Sequence, residues 1–200
     1  MVKIKTIFFD LFGVLLGSDQ STIIHHVAKK TELSYLHVKD IVLGEIFMRL
    51  ERGEIGFKQY FQDLQYAIPN GNKLDYESFK FKWMNNQITE LPTTDYLLKL
   101  INNYNLCIIS NTTESHIEHL KKQFDLFENF NEIITSQAAG FHKPDSGIFN
   151  YALTRTTSNS ESSIFVDDMR SNVESAQKMG FVTHHYQNFE GFESFINNYL

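Results

Sequence analysis

The chain has a single cysteine, Cys107, among its 200 residues, so no internal disulfide can staple it. Cys107 lies in the apolar run Leu106–Ile109 and reads as a core thiol in a reducing compartment. No stretch approaches the ~18 apolar residues of a membrane-crossing helix. Met1-Val2-Lys3-Ile4-Lys5 runs straight into a strand pattern, without the apolar stretch and small-residue cleavage site of a secretory leader. A cytoplasmic location is therefore expected. Basic blocks are missing as well. The net charge is −6, and Lys121-Lys122 reads as a solvated helix face, so electrostatic binding to nucleic acid is excluded. There is no internal repeat and no low-complexity segment. A chain of this length can bury roughly 70% of the surface its unfolded form exposes, which suits one core with a modest insertion.

Two periodicities divide the chain. Lys3–Phe9 alternates and then turns fully apolar, as a buried strand does. From Ser18 to about Trp83 the spacing is helical, in three stripes: Ile23, Ile24, Val27, Ala28; then Val38, Ile41, Val42, Glu45, Ile46, Leu50, with Glu45 the exception; then Phe57, Tyr60, Phe61, Leu64. After Leu91-Pro92, strands alternate with helices. Strands are predicted at Leu106–Ser110, Glu132–Thr135, Ser163–Asp167 and Phe181–His185. Helices are predicted from Thr93 or Thr94 to about Tyr104, at Thr113–Phe124, from Asp145 to Leu153, at Ser171–Met179 and at Phe189–Tyr199. This order predicts an α/β fold: a Rossmann-like, doubly wound parallel sheet (1–16 and 86–200) with an inserted all-helical cap (17–85).

Four segments carry chemistry: Phe8-Phe9-Asp10-Leu11-Phe12-Gly13-Val14, Ile108-Ile109-Ser110-Asn111-Thr112, His142-Lys143-Pro144-Asp145 and Ile164-Phe165-Val166-Asp167-Asp168. Parallel strands all end at one edge, where open α/β sheets bind ligands. A carboxylate there can attack phosphorus and split hydrolysis into two easier displacements. Mg²⁺ takes oxygen ligands, commonly one or two carboxylates. A serine hydroxyl can donate to a phosphoryl oxygen, and a lysine ammonium can neutralise developing charge. Gly13 permits a tight turn that aims the Leu11 and Phe12 amides at a phosphate. Taken singly, each segment has an ordinary reading. Asp10 can end a strand, Asp167-Asp168 suit a helix N-terminus, and the other two are common loops.

As an ordered set, the four segments resemble the motifs of the haloacid dehalogenase-like hydrolase superfamily, over about residues 4–16 and 90–185. The insertion is similar to the helical C1 cap of its subfamily I. Glu51-Arg52-Gly53-Glu54-Ile55, with the Val-Asp-Asp ending and Asn172, resembles the branch holding sugar-1-phosphate phosphatases and the N-terminal phosphatase domain of soluble epoxide hydrolases. The resemblance implies a Mg²⁺-dependent phosphatase acting on a small phosphorylated metabolite. Asp10 would be nucleophile and metal ligand, the Phe12 carbonyl a second ligand, and Asp168 a direct ligand. Asp167 would be a direct or water-mediated ligand. Ser110 and Lys143 would hold the phosphoryl group, with Leu11, Phe12, Asn111 and Arg52 among the substrate-binding residues. Arg52 reads equally as one of a solvated pair with Glu51. The subunit is expected to be a monomer or a homodimer.

One residue departs from the pattern. Phosphatases of this superfamily usually carry a second aspartate two residues after the nucleophile, to protonate the leaving group and then activate water. Here that residue is Phe12. Two other readings follow: a 2-haloacid dehalogenase, whose relatives carry an aromatic at that place but lack the paired acids, and a catalytically weak protein that binds a metabolite or a partner. His142 and Asp19 are candidate substitute donors, with a structural role favoured for His142. His116 and His119 share a helix face but lack the further ligands of a zinc site. The aromatics Phe57, Tyr60, Phe61, Tyr66, Phe79, Phe81 and Trp83 read chiefly as cap core.

Overall fold

The computed structural model describes residues 3–84 and 87–199. The leader reading at Met1-Val2 and the predicted domain boundary at 85–86 lie outside the described residues. The chain divides into two compact units, Met1–Gly17 with Thr89–Leu200, and Ser18–Ile88.

The first unit is built on strands β1 (Thr6–Phe9), β4 (Asn105–Ser110), β5 (Glu132–Thr135), β6 (Ser163–Asp167) and β7 (Val182–His185), while β2 (Leu16–Asp19) and β3 (Gln87–Glu90) run across the unit boundaries. Five of them form a parallel sheet in the order β5-β4-β1-β6-β7, and β2 pairs with β3. The register sets Phe9 beside Ile108 on one side and Val166 on the other. β1 and β6 are buried along their whole length, as strands covered on both faces must be. Their apolar runs are therefore continuous in sequence. Alternate side chains divide between the faces. Phe8, Cys107, Ile109 and Phe165 pack with Ile148, Phe149 and Ala176. Phe9 points the other way, edge-on to Phe130 and Phe192. Cys107 is a buried free thiol, and burial pushes its pKa up to about 12.

The second unit holds α1 (Ser21–Thr31), α2 (Tyr35–Val42), α3 (Glu45–Glu51), α4 (Phe57–Ala67) and α5 (Tyr76–Met84). Their apolar stripes meet around Tyr60, whose ring contacts Phe47, Phe57, Phe79 and Trp83 and whose hydroxyl donates to the Val42 carbonyl at 2.7 Å. The stripe from Val38 to Leu50, continuous in sequence, is broken in space at Gly44. A Cβ there would meet the Asp40 carbonyl at 2.4 Å, so only glycine lets the chain turn so tightly. Tyr66 and Phe81 lie on the surface instead of in this core.

The sheet is flanked by α6 (Thr93–Leu100), α7 (Glu114–Leu120), α8 (Ser136–Ala139), α9 (Ser146–Thr156), α10 (Arg170–Lys178) and α11 (Phe189–Ile196). Asp145 caps α9 by accepting from the Gly147 amide at 2.7 Å. Thr93 and Thr94 do not cap α6. Their hydroxyls tie the helix to Tyr186 and to the Leu15 carbonyl. The loop predicted after β5 contains the short helix α8, started by the Thr135 hydroxyl on the Ala138 amide. Among the described residues, no helix is long and apolar enough to cross a membrane.

Candidate active site

From β1 the chain steps to β4 and on to β5, whereas β6 and β7 lie on the other side of β1. Strand order therefore reverses at β1, the place where open α/β sheets leave a crevice at their carboxyl ends. Asp10 emerges there, and its amide continues the ladder to the Val166 carbonyl at 2.8 Å. Ser110 closes β4 and Asp167 closes β6, both buried. One ligand atom each from Asp10, Asp167 and Asp168 lies within 4.8 Å of the others. Lys143 arrives from the loop between α8 and α9, and its Nζ lies 2.8 Å from Asp10 Oδ1 and 2.7 Å from Asp167 Oδ2. The third bond of the ammonium goes to the Ile109 carbonyl at 2.9 Å. All three N–H groups are thus used within the protein.

The acids differ in what they have left to offer. Asp167 is fully buried, and both its oxygens are taken: Oδ1 by the Met169 amide at 2.7 Å and the Asn172 amide group at 3.0 Å, Oδ2 by Lys143 and Asn172. Asp10 gives Oδ1 to Lys143 and to the Leu11 amide at 2.7 Å, and among the described residues no hydrogen bond engages Oδ2. The Leu11 amide thus serves the Asp10 carboxylate, where the sequence suggested a phosphate ligand. Asp168 is half-buried, and its carboxylate is hydrogen-bonded to its own backbone amide.

Burial sets the electrostatics. It pushes the Asp10 carboxyl up to about 8, with Lys143 pulling down and the Asp167 charge adding to the rise. Asp168 is raised by burial and by Asp167. Burial pulls the Lys143 ammonium down, but Asp10 and Asp167 outweigh it and hold its pKa above the usual lysine value. With all three acids ionised, three carboxylates against one ammonium leave two unbalanced negative charges; burial and mutual repulsion resist that state, and a divalent cation would cancel the excess and favour it. An all-oxygen donor set with that deficit fits Mg²⁺.

The turn after β1 is tight. Leu15 and Leu16 both donate to the Leu11 carbonyl, at 3.0 and 2.8 Å, and Gly13 donates to the Leu16 carbonyl at 2.8 Å. None of these bonds uses the Phe12 carbonyl. Gly13 has φ +84°, and a Cβ there would stand 2.4 Å from Asp168 Oδ2. Gly13→Ala is therefore expected to cost about 1–3 kcal/mol and to displace Asp168. Denaturant midpoints, with Mg²⁺ affinity from thermal shifts, would measure both effects.

The remaining sequence candidates take other places. Asn111 spends its side chain on Lys143 and His142. Arg52 binds Glu54 at 2.5 Å and Glu45 at 2.9 Å within the helical unit. Asp19 accepts from the Ser21 amide at 2.8 Å at the start of α1. His119 pairs with Gln123. The Phe12 ring stacks on His116, with centroids 5.6 Å apart and planes 21° apart. Burial, with a smaller push from His119, brings the His116 pKa down to about 4, and its Nδ1 lies 3.0 Å from the Thr112 hydroxyl. Sequence reasoning missed this stack, because 104 positions separate its members.

A parallel sheet with acids and a lysine gathered at its switch point defines the class, a Rossmann-like fold of the haloacid dehalogenase-like kind. The chain belongs to the haloacid dehalogenase-like hydrolase family, whose profile matches residues 7–184. It is similar to a D-ribitol-5-phosphate phosphatase of Bacteroides thetaiotaomicron, 26% identical, over 92% of this chain and 93% of the relative. Among solved structures it resembles a haloacid dehalogenase-family enzyme of the same bacterium (TM-score 0.81, 23% identical, covering 98% of this chain and 99% of that one). It also resembles a predicted haloacid dehalogenase-like hydrolase of Porphyromonas gingivalis (TM-score 0.79, 24% identical, 98% of each chain). The Bacteroides enzyme has been solved with magnesium, and with magnesium and inorganic phosphate.

Proposed function

We propose that the protein is a Mg²⁺-dependent phosphatase of a small phosphomonoester, a sugar or sugar-alcohol phosphate being the first substrates to test. The observation that carries this reading is the charge deficit at the sheet edge: three clustered acids around one lysine. The family membership and the likeness to a ribitol-phosphate phosphatase support it. Asp10 Oδ2, Asp168 and the Phe12 carbonyl are the groups that would hold Mg²⁺, with Asp167 behind them as their organiser. When bound, the cation supplies charge neutralisation that lets the phosphate approach these acids.

The chain's own residues divide the remaining work. Asp10 attacks phosphorus, and the bond from phosphorus to the ester oxygen breaks as the aspartyl-phosphate forms. Water then attacks that phosphorus, freeing phosphate and restoring the carboxylate. The Lys143 and Leu11 donors fix the Asp10 carboxylate in one orientation, so attack begins from a placed group. Ser110, at the end of the neighbouring strand, donates to a phosphoryl oxygen. A direct bond from Lys143 to phosphate requires it to release one of its three acceptors; otherwise it acts through its charge. Arg52 is a substrate contact only if it leaves Glu45 or Glu54. The buried free thiol keeps this reading in a reducing, cytoplasmic setting.

A phosphate-release panel with and without Mg²⁺ tests the proposal. Turnover is expected with Mg²⁺ and none with chelator. Mg²⁺ at 10–100 times its Kd should raise the unfolding free energy by about 1.4–2.7 kcal/mol, read as a thermal shift. Chelator-insensitive halide release from a 2-haloacid, with no phosphate release, would replace this reading with dehalogenation.

A further inference from the structure

The Lys143 ammonium must land between Asp10 and Asp167, yet no helix or strand carries the residue. Its placement comes from β4. Asn111, the first residue past that strand, accepts from the Lys143 amide at 2.7 Å and donates to the Lys143 carbonyl at 3.0 Å. Its Nδ2 also lies 2.9 Å from His142 Nε2. An amide that pairs with both the N–H and the C=O of one residue holds it as a ladder rung holds a strand, fixing position and orientation together. The clamp is itself braced. The Ser136 hydroxyl accepts from the Thr112 amide at 3.0 Å and donates to the Thr112 carbonyl at 3.1 Å, and Gln137 accepts from the Glu114 amide at 2.9 Å. Both N–H groups of Asn111 and one acceptor position are therefore used before any substrate arrives.

We infer that Asn111 is a positioning residue acting through Lys143, and not the substrate contact that its place beside Ser110 suggests. The inference rests on the phosphatase reading. Loosening the Lys143 backbone lets the ammonium leave the geometry that orients Asp10, which lowers the rate of attack. It touches phosphate affinity only through the Lys143 charge, because the Asn111 side chain is spent on Lys143 and His142.

Kinetics of Asn111→Ala and Asn111→Asp, with inhibition by inorganic phosphate in Mg²⁺ buffer, test this. For Asn111→Ala, kcat is expected to fall about 10–100-fold, as small misplacements do, with the phosphate inhibition constant changing by less than kcat does. Asn111→Asp should lose less, since it keeps the acceptor for the Lys143 amide and His142 can carry the ring proton. A direct phosphate contact predicts the reverse, because a carboxylate repels phosphate: inhibition would weaken most in Asn111→Asp. That order, or an unchanged kcat in both variants, overturns the inference. Hydrogen exchange at the Lys143 amide reads the clamp without any substrate. Faster exchange in Asn111→Ala supports it and unchanged exchange rejects it. If the unaltered protein releases no phosphate from any ester, the proposed function fails, and the exchange result still decides the clamp.

Discussion

Asp10→Asn is expected to lower turnover by on the order of 10⁴–10⁶, the scale on which removing a nucleophile acts. The fold should be kept. Asparagine has the same shape, its Oδ1 can still accept from Lys143 and Leu11, and its amide group takes the place of Oδ2, which no hydrogen bond engages among the described residues. Lys143 keeps Asp167 and the Ile109 carbonyl. Stability should change in an informative direction. The Asp10 carboxyl is raised in the folded protein from 3.8 to about 8, chiefly by burial. A group raised in this way contributes stability below its unfolded value, and loses it as pH climbs through the folded one. Without a divalent cation, then, the unaltered protein should weaken between about pH 4 and pH 8 relative to Asp10→Asn. Mg²⁺ should restore the unaltered protein more than the variant. Thermal unfolding at pH 5 and pH 8, in chelator and in Mg²⁺, measures this, and phosphate release measures the rate. Full activity in Asp10→Asn would end the assignment of Asp10 as nucleophile.

What the sequence made legible follows from what strands and loops record locally. Buried parallel strands are written as apolar runs, so β1, β4 and β6 could be read, along with the acids and the hydroxyl that end them, while the half-buried β5 and β7 were legible from the alternation of strands with helices. The helical stripes could be read for the same reason, although the break at Gly44 could not: it depends on the approach of the Asp40 carbonyl, which periodicity does not encode. Contacts between residues far apart along the chain were hidden altogether. Asn111 meets Lys143 across 32 positions, and Phe12 meets His116 across 104. The difference between Asp167 and Asp168 was hidden too. Neighbours in sequence, they face opposite duties because Met169, Asn172 and Lys143 saturate one and leave the other to its own amide. Thr93 and Thr94 looked like helix caps because caps and tertiary hydrogen bonds use the same residue types.

In the protein as it stands, turnover is expected to depend steeply on the leaving group, with aryl, acyl and anomeric phosphates about 10²–10⁴ faster than simple alkyl phosphates, the range that a positioned general acid normally supplies. The position two residues after Asp10 holds an aromatic ring stacked on His116. That imidazole, brought down to about 4, is neutral at physiological pH and has its Nδ1 beside the Thr112 hydroxyl. The other candidate donors are engaged elsewhere: His142 with Asn111, and Asp19 with the Ser21 amide. A leaving oxygen must therefore depart carrying most of its charge, which a stabilised aryl oxide tolerates and an alkoxide does not. Phe12→Asp should flatten the dependence. Alkyl phosphates should gain about 10-fold or more while aryl phosphates change little, because only the poor leaving groups need the proton. The gain should stop short of the full range, since the new carboxylate loses the stack on His116 and adds a fourth acid to a site already short of positive charge. A plot of log kcat against leaving-group pKa for both proteins is the measurement. A flat plot for the unaltered protein would mean that another group donates the proton, and the consequence drawn from Phe12 would fall.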